Sequence, residues 1–236
     1  MSRPKLLITA DDYGMSPRFN QGILAAAHAG LITGISVMIK RKYIRKMDLL
    51  RLNIPLGLHL ELEVTFSSYR EITSQIKRFK KRFGRLPAYL DGHRHRHIIP
   101  ENIERVIRAA KHYGLPVRSR LPTDRALLKR NCIQTPENFI SWHPNRLPLL
   151  AERLHKSRVF PISELVVHPG YSDKQCSYTY NQEREAELAF LQSPSFHQLI
   201  QPFQLMGYTY FNDSAPHVRT TSPTKYGKRS RQSAGA

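Results

Sequence analysis

Apolar and polar positions along this chain fall into short blocks whose period switches repeatedly between that of a strand and that of a helix. Leu6 to Thr9 is an apolar run suited to a buried strand. Ser16 and Pro17 make a helix-start pair and Gly30 a stop, so Pro17 to Ala29 reads as a helix. Strands are predicted at Ile35 to Ile39 and Leu56 to Leu62, then a helix at Ile72 to Phe83 with Gly84 as its stop. Tyr89 and Leu90 lead as a strand into a histidine cluster. Pro100 and Asn102 open a helix to Tyr113, closed by Gly114 and Pro116, and Val117 begins the next strand. Leu121 to Pro148 is rich in Pro and Asn and carries no assignment beyond a helix starting at Leu149 and running to His155. Glu164 to Val167 reads as a compact strand, Gln182 to Gln192 as a helix and Tyr208 to Phe211 as a last strand.

This alternation is the signature of an α/β layered or barrel architecture. No linker interrupts residues 1–213, which are expected to form a single domain. Residues 214–236 are Ser, Thr, Pro, Lys, Arg and Gly with almost nothing to bury, so a disordered basic tail is expected. At 236 residues with 40% apolar content, 11 Tyr and 10 Phe, the chain can bury a substantial core without staples.

Two cysteines, Cys132 and Cys176, cannot define a disulfide framework. The apolar run after Met1 is too short for a signal-peptide core, so a reducing, cytoplasmic location is expected. The uncharged stretch Gly22 to Ile39 is long enough to raise the membrane-span question, but its helix stop and strand start answer it, and no transmembrane segment is expected. The net charge of +19 implies attraction to polyanions. Its clusters, Lys40-Arg41-Lys42 with Arg45-Lys46, Lys77 through Arg85, and the tail after Arg219, read first as solvated faces, with weak polyanion binding as the functional alternative.

Four segments sit at or just past predicted strand ends and carry an acid or a histidine: Asp11-Asp12-Tyr13-Gly14, Gly57-Leu58-His59, Asp91-Gly92-His93-Arg94-His95-Arg96-His97 and Val167-His168-Pro169-Gly170. In parallel sheets and barrels, ligands bind at the carboxyl ends of strands. Adjacent aspartates can divide labour, one holding a metal while the other accepts a proton, although such a pair ahead of a helix also serves as a cap. His59, between Leu58 and Leu60, is explained equally by a buried imidazole bonded to backbone. His93, His95 and His97 have period-two spacing, which places all three imidazoles on one face of an extended strand and favours a metal over a surface row. His168, ahead of a Pro-Gly turn, is a proton-donor candidate.

In this order the segments resemble the YdjC-like carbohydrate deacetylases. The resemblance rests on Ile8 through Ser16 with Asn20 and Gly22-Ile23, on Pro55 to His59, on Tyr89 to His97 with Pro100, and on Glu164 to Gly170. Weaker echoes are Gly114 through Arg118 and Arg184 to Leu191. The resemblance implies a distorted (β/α) barrel similar to the NodB-type polysaccharide deacetylases. It implies one divalent ion, magnesium or zinc, on Asp12, His59 and His93, with Asp11 as general base and His168 as the acid that protonates the leaving amine. His95 and His97 are left to line the pocket or support the ligands. The implied reaction is hydrolysis of an N-acetyl group from an amino sugar or its conjugate. Only 33 residues separate His59 from His93, shorter than the family's usual excursion, which puts a glycine-rich lid in question.

Two other readings stand beside this one. A different metal-dependent amidohydrolase would need a carboxylated lysine or a further aspartate to complete its ligands. A nucleic-acid or anionic-surface binding protein on an inactive deacetylase scaffold would account for the charge, but its basic runs lack interleaved aromatics.

Overall fold

A computed structural model describes residues 3–213. The elements are β1 (Lys5–Tyr13), α1 (Pro17–His28), β2 (Gly34–Val37), α2 (Lys46–Leu50), β3 (Leu56–Leu60), α3 (Tyr69–Phe83), β4 (Leu90–Gly92), α4 (Pro100–Tyr113), α5 (Pro122–Arg130), β5 (Asn138–Ile140), α6 (Leu147–Ser157), β6 (Ile162–Val167), α7 (Gln182–Leu191), α8 (Pro194–Ile200), β7 (Gln204–Leu205) and α9 (Thr209–Asp213).

The helices begin and end where local chemistry dictates. Ser16 caps α1 by accepting from the amides of Arg18 and Phe19, with Pro17 in its first turn. Ser68 caps α3 through the amide of Glu71, and Gly84 closes that helix in the left-handed region at φ 75°. Along α3 the apolar positions Ile72, Ile76, Phe79 and Phe83 form one buried stripe, each side chain contributing roughly 1.5–3 kcal/mol by burial.

All strand pairs are parallel, in the order β4-β3-β2-β1-β6-β5, with β7 pairing the first residues of β1. Leu90 of β4 also bridges Val117 in parallel. The Val117 amide then donates to Gln134 O and the Ser119 hydroxyl to Pro136 O, just ahead of β5. An irregular segment thus links the two ends of the strand path, curling the sheet into the distorted barrel expected. β1 and β6 are buried along nearly their whole length, as central strands of a parallel sheet must be. Among the described residues no helix is long and apolar enough to cross a membrane.

The structure adds α2 and α8, where no element was read, and departs from the sequence reading elsewhere too. Val117 makes an isolated bridge instead of a strand. The unassigned middle holds α5 and β5. Tyr208 to Phe211 is no strand: the last strand is Gln204–Leu205 and Thr209–Asp213 is helical. The reason is the spacing of the anchors, since Tyr208 and Phe211, three apart as on one helical face, pack together against Leu7, Tyr89 and Ile162. The tail, 214–236, lies outside the described residues.

Candidate metal centre

The two aspartates end β1, where pairing with β2 shifts register between Ala10 and Tyr13. Asp12 has φ 72°, in the left-handed region that Asp tolerates better than most residues. In a regular strand successive side chains diverge to opposite faces. Here both carboxylates reach one imidazole: Asp11 Oδ2 lies 4.0 Å from His59 Nδ1 and Asp12 Oδ1 lies 3.3 Å from His59 Nε2. Asp12 Oδ1 is also 3.0 Å from His93 Nδ1.

Asp12, His59 and His93 therefore converge from the ends of β1, β3 and β4, each offering one ligand atom with all three atoms within 4.8 Å of one another. The set fits a divalent cation: one carboxylate oxygen, two imidazole nitrogens, buried but reached through the partly exposed His93. The far nitrogen of His59, Nδ1, lies 3.0 Å from Asp91 Oδ1, the carboxylate–histidine arrangement that orients metal ligands. Asp91 is held in turn by the Ser36 hydroxyl at 2.6 Å.

Asp11, His59 and Asp91 form a second group with ligand spacing. Both of its carboxylates are already engaged by Arg118, a fully buried guanidinium. Arg118 binds both oxygens of Asp11 at 2.7 and 3.0 Å and reaches Asp91 Oδ2 at 2.8 Å. It also donates to Glu164 Oε1 through Nε at 3.0 Å and Nη2 at 2.9 Å. Glu164 is completed by the hydroxyls of Thr9 at 2.8 Å and Tyr208 at 2.7 Å.

These contacts set the protonation states. Burial favours the neutral form of Asp11, but the charge of Arg118 prevails, helped by His59, and holds the carboxyl below its usual range. Asp12 is likewise held well below that range: burial opposes its charge, while Arg184 and hydrogen bonds from His59 and His93 outweigh it. Glu164 goes the other way, burial raising its pKa more than Arg118 lowers it.

His168 follows β6 with a third of its side chain exposed. The buried carboxylate of Glu187 accepts from the His168 amide at 2.6 Å and lies 3.8 Å from His168 Nδ1, while the Tyr180 hydroxyl donates to the same carboxylate. Burial works against the imidazolium, yet Glu187 raises the His168 pKa overall. Arg184, fully buried, donates to Asp12 Oδ2 at 2.5 Å and to Tyr180 O at 2.9 Å and lies over the Phe19 ring. Among the described residues its Nη1 has no hydrogen-bond partner.

All five residues named from sequence are thus found at the carboxyl rim of the sheet, but the histidine row is corrected. His93 to His95 form a 3-10 turn with Arg94 at φ 54° and His95 at φ 57°, so the three imidazoles leave in different directions. A Cβ on Gly92 would lie 2.9 Å from the His97 side chain, so the fold-back needs glycine there. His97 is fully buried with Nε2 3.1 Å from Arg118 O, and burial with nearby His95 and Arg118 keeps it neutral. His95 packs edge-on against Phe139, its pKa pushed down to about 3 by burial and by Arg118. Sequence reasoning missed Arg118, Asp91, Glu164, Glu187 and Arg184 as site residues. The echoes at Gly114 through Arg118 and at Arg184 to Leu191 were the available signal for three of them, and the segments Tyr89 to His97 and Glu164 to Gly170 held the other two.

A family model described as YdjC-like protein matches residues 5–66 and 67–202. The chain is 28% identical over 164 residues to a carbohydrate deacetylase of Mus musculus, the match covering 53% of each protein, so the chain spans about half the length of that relative. It is 25% identical over 236 residues to a carbohydrate deacetylase of Vibrio cholerae, covering 83% of this chain and 91% of that one. Two crystal structures share the fold. A protein of Enterococcus faecalis V583 named for cellobiose-phosphate cleavage aligns with a TM-score of 0.77 at 22% identity, over 89% of this chain and 99% of the other. The Xyl-CE4 domain of a xylanase from a Trinervitermes trinervoides hindgut metagenome aligns with a TM-score of 0.53 at 9% identity, over 92% and 95%. At these identities the likeness to both structures is one of architecture. The family match over most of the chain, with the strand-end residues in family order, establishes that the chain belongs to the YdjC-like family.

Proposed function

We propose that this chain is a carbohydrate deacetylase, hydrolysing the N-acetyl group of an amino sugar or its conjugate with one divalent ion, zinc or magnesium, on Asp12, His59 and His93. The observation that carries this reading is the convergence of those three ligand atoms beside a carboxylate and an imidazole suited to opposite proton transfers. Family relatives named carbohydrate deacetylase support it. Residues 1–213 would form the single catalytic unit.

A bound divalent ion supplies Lewis acidity toward the acetyl carbonyl and toward water. Asp12 would offer it one oxygen, the other accepting from Arg184, which fixes the carboxylate's direction. His59 keeps its Nε2 available because Asp91 holds Nδ1. Asp11 takes the proton of the attacking water; held ionised by Arg118, it is a weak base, and its advantage is position beside the ligands. His168 gives a proton to the departing amine nitrogen, and Glu187 keeps it charged for that step. Acetate and a free amino sugar result.

The test is acetate release from a panel of N-acetylglucosamine conjugates, with metal analysis of the same protein. The wild type is expected to release acetate and to hold about one divalent ion per chain, and Asp12→Ala to lose activity by about a thousand-fold or more along with its metal. Wild-type turnover by Asp12→Ala, or no release from any conjugate, overturns the assignment.

A further inference from the structure

One face of the molecule carries much of its excess charge. The segment from Lys40 to Asp48 runs beside α3: Arg82 donates to Ile44 O at 2.6 Å, and Lys40 pairs with Glu71 at 3.4 Å. Residues 40–48 and 69–85 together hold twelve basic and two acidic residues, and all twelve basic side chains are exposed. Lys40, Arg41 and Arg45 pair with Glu71, Glu61 and Asp48. Among the described residues, no acid lies within ion-pair distance of Lys42, Lys46, Lys77, Arg78, Lys81 or Arg85, so the field on this face is uncompensated.

Apolar groups stand within the same face. Met47 and Leu50 on α2, three residues apart, are 58% and 39% exposed, and Tyr43 beside them lies under the Lys42 ammonium. On the neighbouring loop after β3, Val64 and Phe66 are 56% and 53% exposed. That loop joins the basic segment through Arg41 and Glu61 at 2.7 Å. Aliphatic side chains projecting among cations do nothing for a solvated surface, and they cannot stack on bases. The aromatics of α3 offer no open row of stacking platforms, Phe79 and Phe83 being buried and Tyr69 half-buried beneath the Arg108 guanidinium. Cations that meet lipid phosphates while aliphatic and aromatic side chains enter the acyl boundary are what an interfacial surface requires.

We propose that this face docks the protein on an anionic phospholipid bilayer, with Met47, Leu50 and Tyr43 entering the interface and the α3 cations meeting the headgroups. Residues 40–45 follow β2 at its carboxyl end, so docking brings the rim that carries the metal ligands alongside the lipid surface. The proposal stands apart from the catalytic reading, because its test involves no turnover.

The full-length protein is sedimented with phosphatidylcholine vesicles that contain or lack phosphatidylglycerol, across a salt series. Partitioning is expected onto the phosphatidylglycerol vesicles only, weakening as salt rises. Lys77→Ala with Lys81→Ala is expected to weaken it by about five-fold per charge. Met47→Ser with Leu50→Ser, which leaves charge untouched, should weaken it by about ten-fold. Equal partition onto both vesicle types, or wild-type binding by either double variant, overturns the proposal. So does tighter binding to a DNA duplex than to the anionic vesicles at one salt concentration, which would make the face a nucleic-acid surface.

Discussion

Two arginines lie fully buried at the strand ends, each holding one of the adjacent aspartates, and they are used differently. Arg118 is saturated, with Asp11, Asp91 and Glu164 competing for one positive charge. Among the described residues, Arg184 has a single carboxylate partner and leaves one nitrogen unpaired. Where three acids share a cation, burial raises the Glu164 pKa above its usual value, while Arg118 holds that of Asp11 below its own. Where one acid meets one cation, a carboxylate oxygen is left over, and it is the one that faces His59 and His93. On the proposed reading, the first arginine fixes the proton acceptor in place and the second leaves Asp12 an oxygen for ligation.

The comparison is broken most severely at Arg118. Arg118→Met strands three carboxylates in the interior and is expected to cost about 3–5 kcal/mol of stability in a denaturant titration. Its pH dependence follows from the sign of the Asp11 shift. A folded pKa below the unfolded one gives stability that is full above the unfolded value and lost as pH falls toward the folded one. In the variant Arg118 no longer outweighs burial, so the folded Asp11 pKa rises and this loss on acidification should shrink or reverse. Next in size, Asp11→Asn is expected to reduce deacetylation by about a hundred- to ten-thousand-fold while metal content stays at the wild-type level. Loss of the metal instead would show that the two aspartates do not divide their duties. Arg184→Met removes one orienting contact, and metal affinity measured by competition with a chelator should fall by about ten- to a hundred-fold. The smallest effect is expected at the acid. Glu187→Gln removes the charge that raises the His168 pKa, so the alkaline limb of the rate profile moves to lower pH; a limb that stays put, or rises, rejects His168 as the donor.

The comparison also marks how far the sequence could be read. Asp12, His59 and His93 lie at strand ends, and each strand is a local apolar pattern, so their common rim follows from parallel topology. Arg118 and Arg184 sit 107 and 172 residues from the aspartates they bind, and no local period announces such pairs. The histidine row was misread because period-two spacing describes an extended chain, whereas Arg94 and His95 are left-handed although neither is a glycine. In the C-terminal region, Tyr208 and Phe211 have side chains common in strands, and packing against Leu7 and Tyr89 decided their conformation instead.

The left-handed backbone at Asp12 bears on anyone who would transplant this centre into another scaffold. Copying the side chains onto a flat, evenly pleated strand would send one carboxylate inward and its neighbour away, and the imidazole between them would lose half its company. What must be carried across is the kink in the main chain itself, so a host sheet qualifies by its capacity to accept an irregular step there, whatever the side chains it offers.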